Sequence, residues 1–360
     1  MFSKITCNIK LSTVACFIVA ITIIVISAVN ILFIDNFWSR HFGNEVSNFV
    51  HLRLQYWHTS NESQEPALQF KFQVYSHNVR VDTRNRFPHE QSWWNRRDSV
   101  VKSIRDLVLA AGGEAQIPSL VGLQEVKHHQ LNDILRRLNS EESEEYPWKH
   151  YGVGRDDGDT LGEYTPVIYN ASEWILVNGT SRWLSKNPNT PGRAWGAATK
   201  RVITFTTFQN KQTGDYVNFI NTHLDHKSEH ARKKSCELIV DWIKSIPNDY
   251  VTVLTGDFNS FKDGAAYKEM ALVMLDSYEV SISEGKERNT GDTITYTGFE
   301  NDSPHTLIDF QWFKETTKWS VLLNYFKTIT NENEGLRFSD HKPLVGIYEV
   351  RKQGLVGIDK

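Results

Sequence analysis

The sequence predicts an α/β protein built on mixed β-sheets. Three observations carry this expectation. From Gln69 to Val350 the chain repeatedly shows short runs that alternate apolar and polar residues or are apolar throughout, the pattern of strands. Segments with apolar residues at helical spacing lie between them. Several strand-like runs also follow one another across hairpin-length connections, which an all-parallel sheet does not allow.

The elements follow in order. FKFQVYSHNV alternates and reads as a strand. SWWNRRDSVVKSIRDLVLAAGG reads as a helix, with Val101, Ile104, Leu107, Val108 and Ala111 on one face and the glycines closing it. SLVGLQEV is a short buried strand. HHQLNDILRRLNS is a second helix, packed through Leu131, Ile134, Leu135 and Leu138, and EESEE after it is a solvated charge run. Strands are expected at PVIYN, WILVN, VITFTTFQ and YVNFIN. A helix from Ser228 to Ile246, buried through Leu238, Ile239, Trp242 and Ile243, precedes the strand YVTVLTGDFN. A further helix is expected near Ala265 to Leu275, then strands at TLIDFQWF, WSVLLNY and LVGIYEV. No period of about 20–50 residues stands out. At roughly 150 residues per domain the length of 360 suggests two domains. No boundary breaks the stretch 69–352, however, so it reads as one, followed by a short tail at 353–360.

Composition excludes several classes. Hydrophobic residues at 40% and charged residues at 23% are ordinary for a globular chain and rule out a disordered one. Cys7 and Cys16 lie at the extreme N-terminus, which leaves Cys236 without an intramolecular partner and excludes a disulfide scaffold. Net charge is −3, which is not the footprint of a protein held mainly by nucleic-acid phosphates. A local basic stretch exists at Arg80, Arg84, Arg86, Arg96, Arg97 and Arg105.

The N-terminus supplies an address. After a short tail at 1–10, residues 11–34 carry no charged side chain. A helix over this stretch would span about 36 Å, enough to cross a bilayer core of about 30 Å. A cleaved signal peptide would have a shorter apolar region and end in small residues, whereas this run ends in Leu32, Phe33 and Ile34. A transmembrane signal-anchor is therefore expected. Lys4 and Lys10 precede it and Asp35 follows, which directs the body to the lumenal or extracellular side. Residues 35–68 read as a stalk. Sequons for N-linked glycosylation begin at Asn61, Asn170, Asn178 and Asn301.

Polar side chains interrupt the apolar runs where strands end. Asn78 follows FQVYSH, Glu125 follows SLVGLQ, His223 follows VNFINT, and Asp257 and Asn259 follow VTVLTG. Asp309 lies in TLIDFQWF, and Asp340 with His341 precedes the last strand. Ligands of open α/β sheets bind at strand ends, and such a collection would suit a hard cation with acid and base groups beside it. Each residue also has an ordinary reading. Asn78 and GDFN suit turns, Glu125 suits a helix cap, His223 a hydrogen-bonded core histidine, and SDH an Asp-capped turn. Their joint order argues for the site.

That order resembles the endonuclease/exonuclease/phosphatase family, the DNase I-like phosphoesterases, from about Gln69 to Val350. The resemblance is carried by the strand-end Asn78, QEV, GEYTPVIY, NTHLDH, TGDFN, IDF and SDH. It implies a four-layer sandwich, with two mixed sheets packed face to face between helices. It implies that Glu125, helped by Asn78 and with Asp340 nearby, holds a divalent metal, Mg²⁺ or Mn²⁺. It assigns to Asp257 the orientation or deprotonation of the attacking water and to Asn259 the polarisation of the phosphoryl oxygen. His223 and His341 would flank the scissile phosphate, oriented by Glu163 and Asp309 respectively. The segment YGVGRDDGDTLGEYTPVIY is similar to a subgroup of small members, in which Tyr151 and Arg155 would touch the phosphate; for Arg155 a loop ion pair with Asp156 or Asp157 is the equal alternative. Arg201 of TKRVITF would bind phosphate or form a structural ion pair, and Asp225 and His226 are left without a role.

The expected function is a metal-dependent phosphodiesterase or phosphatase, acting on a lipid or small phosphoester at a membrane. The alternative is a membrane-anchored nuclease of the same chemistry, favoured by the Arg-rich stretch and disfavoured by charge and anchor. A degenerate binding module is a third class, but none of the core positions is lost.

Overall fold

Strand β1 (Gln69–Asn78) shows how alternation builds the protein. Phe70, Phe72 and Val74 point to one buried face, and Tyr75 to the other. Because both faces are covered, the polar residues between them are also buried, from Gln73 to Asn78. The computed structural model describes residues 69–109, 117–139, 147–283, 291–301 and 303–353. They belong to one compact unit that begins at Pro66. The expected signal-anchor, the stalk, Asn61, the EESEE run and most of the C-terminal tail lie outside the described residues. Among those described, no helix is long and apolar enough to cross a membrane.

After β1 come helix α1 (Trp93–Leu109), β2 (Ser119–Gln124), β3 (Val126–Lys127) and α2 (His128–Leu138). β4 (Trp148–Tyr151), β5 (Glu163–Tyr164), β6 (Val167–Asn170), β7 (Trp174–Trp183), β8 (Val202–Asn210) and β9 (Tyr216–His223) follow. Then come α3 (Glu229–Lys244), β10 (Val251–Asp257), α4 (Ala265–Ala271), β11 (Leu275–Asp276) and α5 (Ser277–Ser283). The chain continues through β12 (Asp309–Lys314), β13 (Trp319–Thr328), β14 (Glu332–Asn333), β15 (Leu336–Arg337) and β16 (Leu344–Lys352).

Two mixed sheets result, as expected. One has the order β13-β16-β1-β2-β6-β4, the other β11-β12-β10-β9-β8-β7. Only β1/β2 and β9/β10 run parallel, and the remaining pairs are antiparallel. Phe72 and Val74 of the first sheet share a core with Phe208, Phe219 and Val253 of the second, so the sheets pack face to face. α1 and α2 cover the outer face of the first sheet through Val100, Ile104, Leu131 and Ile134. On the outer face of the second, Trp242 of α3 packs on Phe205, and Tyr267 of α4 packs on Phe310 and Trp312.

Several boundaries differ from expectation. SLVGLQEV does not run through; it breaks at Glu125, which has a positive φ of 60°. The fourth helix stops at Ala271 because Leu275–Asp276 pairs with β12. β3, β4, β5, α5 and the β14–β15 hairpin were not expected. They are too short for a period to be read.

Candidate active site

Four strands and two flanking segments deliver side chains to one edge of the sandwich. β1 ends at Asn78, β9 at His223 and β10 at Asp257, while β12 begins at Asp309. The ladders set their level: Asp257 is registered with His223 on one side and with Asp309 on the other. Glu125 enters from the turn after β2, and His341 from the segment before β16. Glu125 holds a left-handed backbone conformation that a side chain other than Gly or Asn adopts only under strain, and such strain concentrates at functional sites. Asn259, also left-handed at φ 47°, is a residue type that tolerates it.

Asp257 is the centre. Its Oδ2 accepts from Asn78 Nδ2 at 2.9 Å, and its Oδ1 accepts from the Asn259 backbone N–H at 2.8 Å. The same carboxylate lies 3.5 Å from His223 Nε2 and 3.7 Å from His341 Nε2. Asn78 Nδ2 also donates to Glu125 Oε1 at 3.2 Å, while its Oδ1 accepts from the Arg80 backbone at 3.0 Å. Asn259 Nδ2 sits 3.0 Å from His223 Nε2 and donates to the Leu224 carbonyl. Burial, and then the neighbouring Asp309, pushes the Asp257 carboxyl up to about 7.

The two histidines differ. His341 Nδ1 is 2.8 Å from Asp309 Oδ2, as the resemblance implies. Burial lowers its imidazole, but the Asp309 and Asp257 carboxylates outweigh burial and raise it to about 10. His223 is held well below its usual range by burial, with the Arg201 and Arg155 guanidinia adding to the effect. One ring is therefore favoured as a cation and the other as a neutral imidazole.

Glu163 does not orient His223. Among the described residues its hydrogen bonds run to Arg155, bidentate at 2.6 and 2.7 Å. Arg155 takes neither Asp156 nor Asp157 as its ion-pair partner. The pairing of β3 with β5 places Glu163 opposite Lys127, which brings it to the site rim but turns it toward the guanidinium. Arg201 is buried and reaches His226 Nδ1 at 3.0 Å, with two of its nitrogens lacking any hydrogen-bond partner. Asp225 is a bracket. It accepts from the backbone of Ala198, Thr199, Lys227 and Ser228 and so ties two loops together. Tyr151 lies with its ring over Gly179, where an added Cβ would stand 2.6 Å from the ring. Asp340 is buried and lies 4.0 Å from Arg80 Nε.

Sequence reasoning missed three contributors. Arg80 approaches Glu125 at 3.9 Å as well as Asp340, and is held by a bidentate pair with Glu90. Tyr296 bridges to His341 and packs edge-on against it. Arg96 is buried, pairs with no carboxylate among the described residues, and donates to the carbonyls of Val79, Arg80, Gln91 and Phe338. It thereby ties the strand end carrying Asn78 to the loop carrying Asp340 and His341. The signal for the two arginines was present as the Arg-rich stretch, but it suggested external phosphates. Tyr296 lies in no periodic run and gave no signal.

The donor set suits a hard divalent cation. Ligand atoms of Glu125, His223 and Asp257 converge, as do those of Asp257, Asp309 and His341. Carboxylate oxygens dominate, no thiolate is near among the described residues, and burial raises both Asp257 and Asp340, carboxylates whose charged form a cation would stabilise. Asn78 differs from the expected ligand in orientation, presenting Nδ2 to the carboxylates.

Residues 75–341 match the model of the endonuclease/exonuclease/phosphatase family. Among curated proteins none is significantly similar to the chain. Among solved structures, an endonuclease/exonuclease/phosphatase from Bacteroides vulgatus is 30% identical, with a TM-score of 0.65, covering 79% of this chain and 99% of the other. A mannosyl-6-phosphatase from Bacteroides thetaiotaomicron is 24% identical, with a TM-score of 0.64, covering 79% and 100%. D. rerio TDP2 complexed with a single-strand DNA product shares the fold at 15% identity and a TM-score of 0.57, covering 77% and 98%. A family model that spans most of the described chain, and ends on the histidine paired with Asp309, places this protein in the endonuclease/exonuclease/phosphatase family.

Proposed function

We propose that the protein is a divalent-metal-dependent phosphoesterase that hydrolyses a lipid or small phosphoester at a membrane. The family acts on phosphoester bonds, and its members include phosphatases, phosphodiesterases and nucleases. The observation that carries the reading is the convergence of Glu125, Asn78, His223, Asp257, Asn259 and the Asp309–His341 pair at one edge. A bound Mg²⁺ or Mn²⁺, held by Glu125 with Asp340 and Asn78 beside it, would neutralise phosphate charge.

The chain's own residues supply the rest. Asp257, raised to about 7, accepts the proton of a water whose oxygen attacks phosphorus. The P–O ester bond breaks, and the leaving alkoxide takes its proton from the His341 imidazolium, which regains one from Asp257, 3.7 Å away. His341, cationic through Asp309, donates to the phosphoryl oxygens, where negative charge grows. Asn259 supplies a neutral donor, and Glu163 fixes the Arg155 fork on the side of His223. Arg201 presents a second guanidinium for the substrate's phosphate, and the Tyr151 ring lines the approach.

The membrane setting rests on the apolar run at 11–34, with Lys4 and Lys10 before it and the sequons after it. It makes the protein a single-pass glycoprotein with a lumenal or extracellular body. Protection of the body from protease in sealed microsomes is the expected result, and digestion would refute this part. Of the Arg-rich stretch that favours the nuclease alternative, Arg80, Arg96 and Arg97 are engaged within the fold, while Arg84 and Arg86 are exposed. Turnover by the purified full chain on phosphomonoesters and phosphodiesters, with and without Mg²⁺, tests the activity. Metal-dependent release of phosphate or alcohol is expected. A steep loss of binding to DNA or RNA with salt, together with cleavage of those polymers alone, would favour the nuclease.

A further inference from the structure

Strand β7 closes one side of the second sheet. It pairs with β8, and among the described residues no strand pairs with its other edge. A long exposed edge is a template for pairing with another chain, and proteins blunt it. Here Ile175 and Val177 stand 44% and 52% exposed on it, which makes the edge apolar as well.

The register of β7 changes at this place. Leu176 pairs with Phe208 and Asn178 with Thr207, so Val177 is an extra, unpaired residue. Such a bulge turns two successive side chains to one face. Trp174 is buried and Leu176 half-buried on the inner face, Val177 and Asn178 both face solvent, and alternation then resumes. Gly179 turns inward under the Tyr151 ring, and Thr180 turns out again. The bulge thus exposes the acceptor amide and the hydroxyl of one Asn-Gly-Thr sequon together. No hydrogen bond engages the Asn178 side chain among the described residues.

The other described sequons differ. Asn170 is half-buried, and its Oδ1 accepts from the backbone N–H of Ser172, within the sequon itself. Asn301 accepts from Arg337 NH2, and Pro304 follows its sequon.

We propose that Asn178 carries an N-linked glycan, which caps the β7 edge and covers Ile175 and Val177. The inference rests on the lumenal placement proposed above. The donor is a lipid-diphosphate-linked oligosaccharide of the secretory pathway. The Asn178 amide nitrogen forms a bond to the anomeric carbon, the carbon–oxygen bond to the diphosphate breaks, and the amide proton leaves to a base of the transferase.

The test expresses the full chain in secretory-competent eukaryotic cells, with a reporter sequon added to the C-terminal tail. Mobility is read before and after removal of N-glycans. Asn178→Gln and Thr180→Ala should each lose one glycan step, and Asn170→Gln should lose none. A glycan on the tail with none on Asn178 would overturn the assignment while leaving the lumenal placement intact. No glycan on either would overturn both. Size-exclusion of Asn178→Gln should show new self-association at unchanged specific activity of the monomer fraction. A strictly monomeric variant would overturn the capping role.

Discussion

The two ends of the space between the sheets are built from the same strands and do opposite things. At one end the inward columns are apolar: Val74 on β1, Leu120 on β2, Phe219 on β9, Val253 on β10 and Phe313 on β12. Two residues further toward the site, the same columns hold Ser76, Gly122, Asn221, Thr255 and Gln311. All four polar side chains among these are buried. Two residues further again stand Asn78, Gln124, His223, Asp257 and Asp309. The middle level is a hydrogen-bonded layer. Asn221 Nδ2 donates to the carbonyls of Leu123 and Pro166, and its Oδ1 accepts from Gln124 and Thr255. Gln311 bonds to the Leu344 carbonyl and accepts from Tyr348. Gly122 belongs to it through size, since a Cβ there would stand 2.5 Å from the Thr255 hydroxyl. The difference teaches that one period-2 pattern can carry a core, a polar floor and a catalytic rim in succession.

Substitutions along these columns should separate the ends. The largest effects belong to the rim and should appear in turnover. His341→Ala and His223→Ala should each lower kcat/KM by roughly 10²–10⁴-fold. If both act on one phosphate, the double variant should lose far less than the product. Asp309→Asn should couple to His341, to which it is bonded. Glu163→Gln should couple to Arg155, its partner, rather than to His223. Strict additivity of the two histidine variants in a double-mutant cycle would show that they do not share a substrate group.

At the apolar end, Phe219→Ala should cost about 3–5 kcal/mol of stability in denaturant unfolding. Its kcat/KM per folded molecule should stay near that of the parent. Loss of turnover at intact stability would break the division between the ends. In the floor, Asn221→Ala should cost less, about 1–3 kcal/mol, because it leaves buried partners unpaired. It should also lower turnover modestly by loosening β9 beneath His223. A variant as stable as the parent would show that the floor contributes only shape.

A further effect is expected in pH dependence. His341 is raised in the folded state from its ordinary value of 6.5 to about 10. Its contribution to stability is therefore fully present below about 6.5 and is lost as pH rises through about 10. Asp309→Asn removes the first of the carboxylates that raise it, so the decline of unfolding midpoint over that window should flatten. An unchanged slope would mean that His341 is not held as a cation by Asp309.

The comparison also explains what the sequence could disclose. The strand ends were legible because each catalytic side chain interrupts an apolar run at a fixed offset, as in VTVLTGDFN and VNFINTH. Motif order then made the Asp309–His341 pair legible across the residues between them. The polar floor was visible as letters, yet nothing local says that Asn221 bonds across to the first sheet. The partner of Glu163 was misread for a similar reason. A two-residue pairing, β3 with β5, decides which way it faces, and that pairing is too short for a period to reveal. Arg80 and Arg96 were read as outward charge because sequence gives no distance to a carbonyl or a carboxylate.

The central claim is that the rim is a metal-dependent hydrolytic site carried on an otherwise structural sandwich. Glu125→Gln tests it most directly, since Glu125 is the carboxylate that closes β2 and sits in strained backbone conformation beside Asp257. Binding of Mg²⁺ should be measured by calorimetry on the parent and the variant, alongside turnover and unfolding. The account predicts loss of the Mg²⁺ heat and of metal-dependent turnover, with the unfolding midpoint retained in metal-free buffer. Full Mg²⁺ binding and full turnover in Glu125→Gln would contradict it.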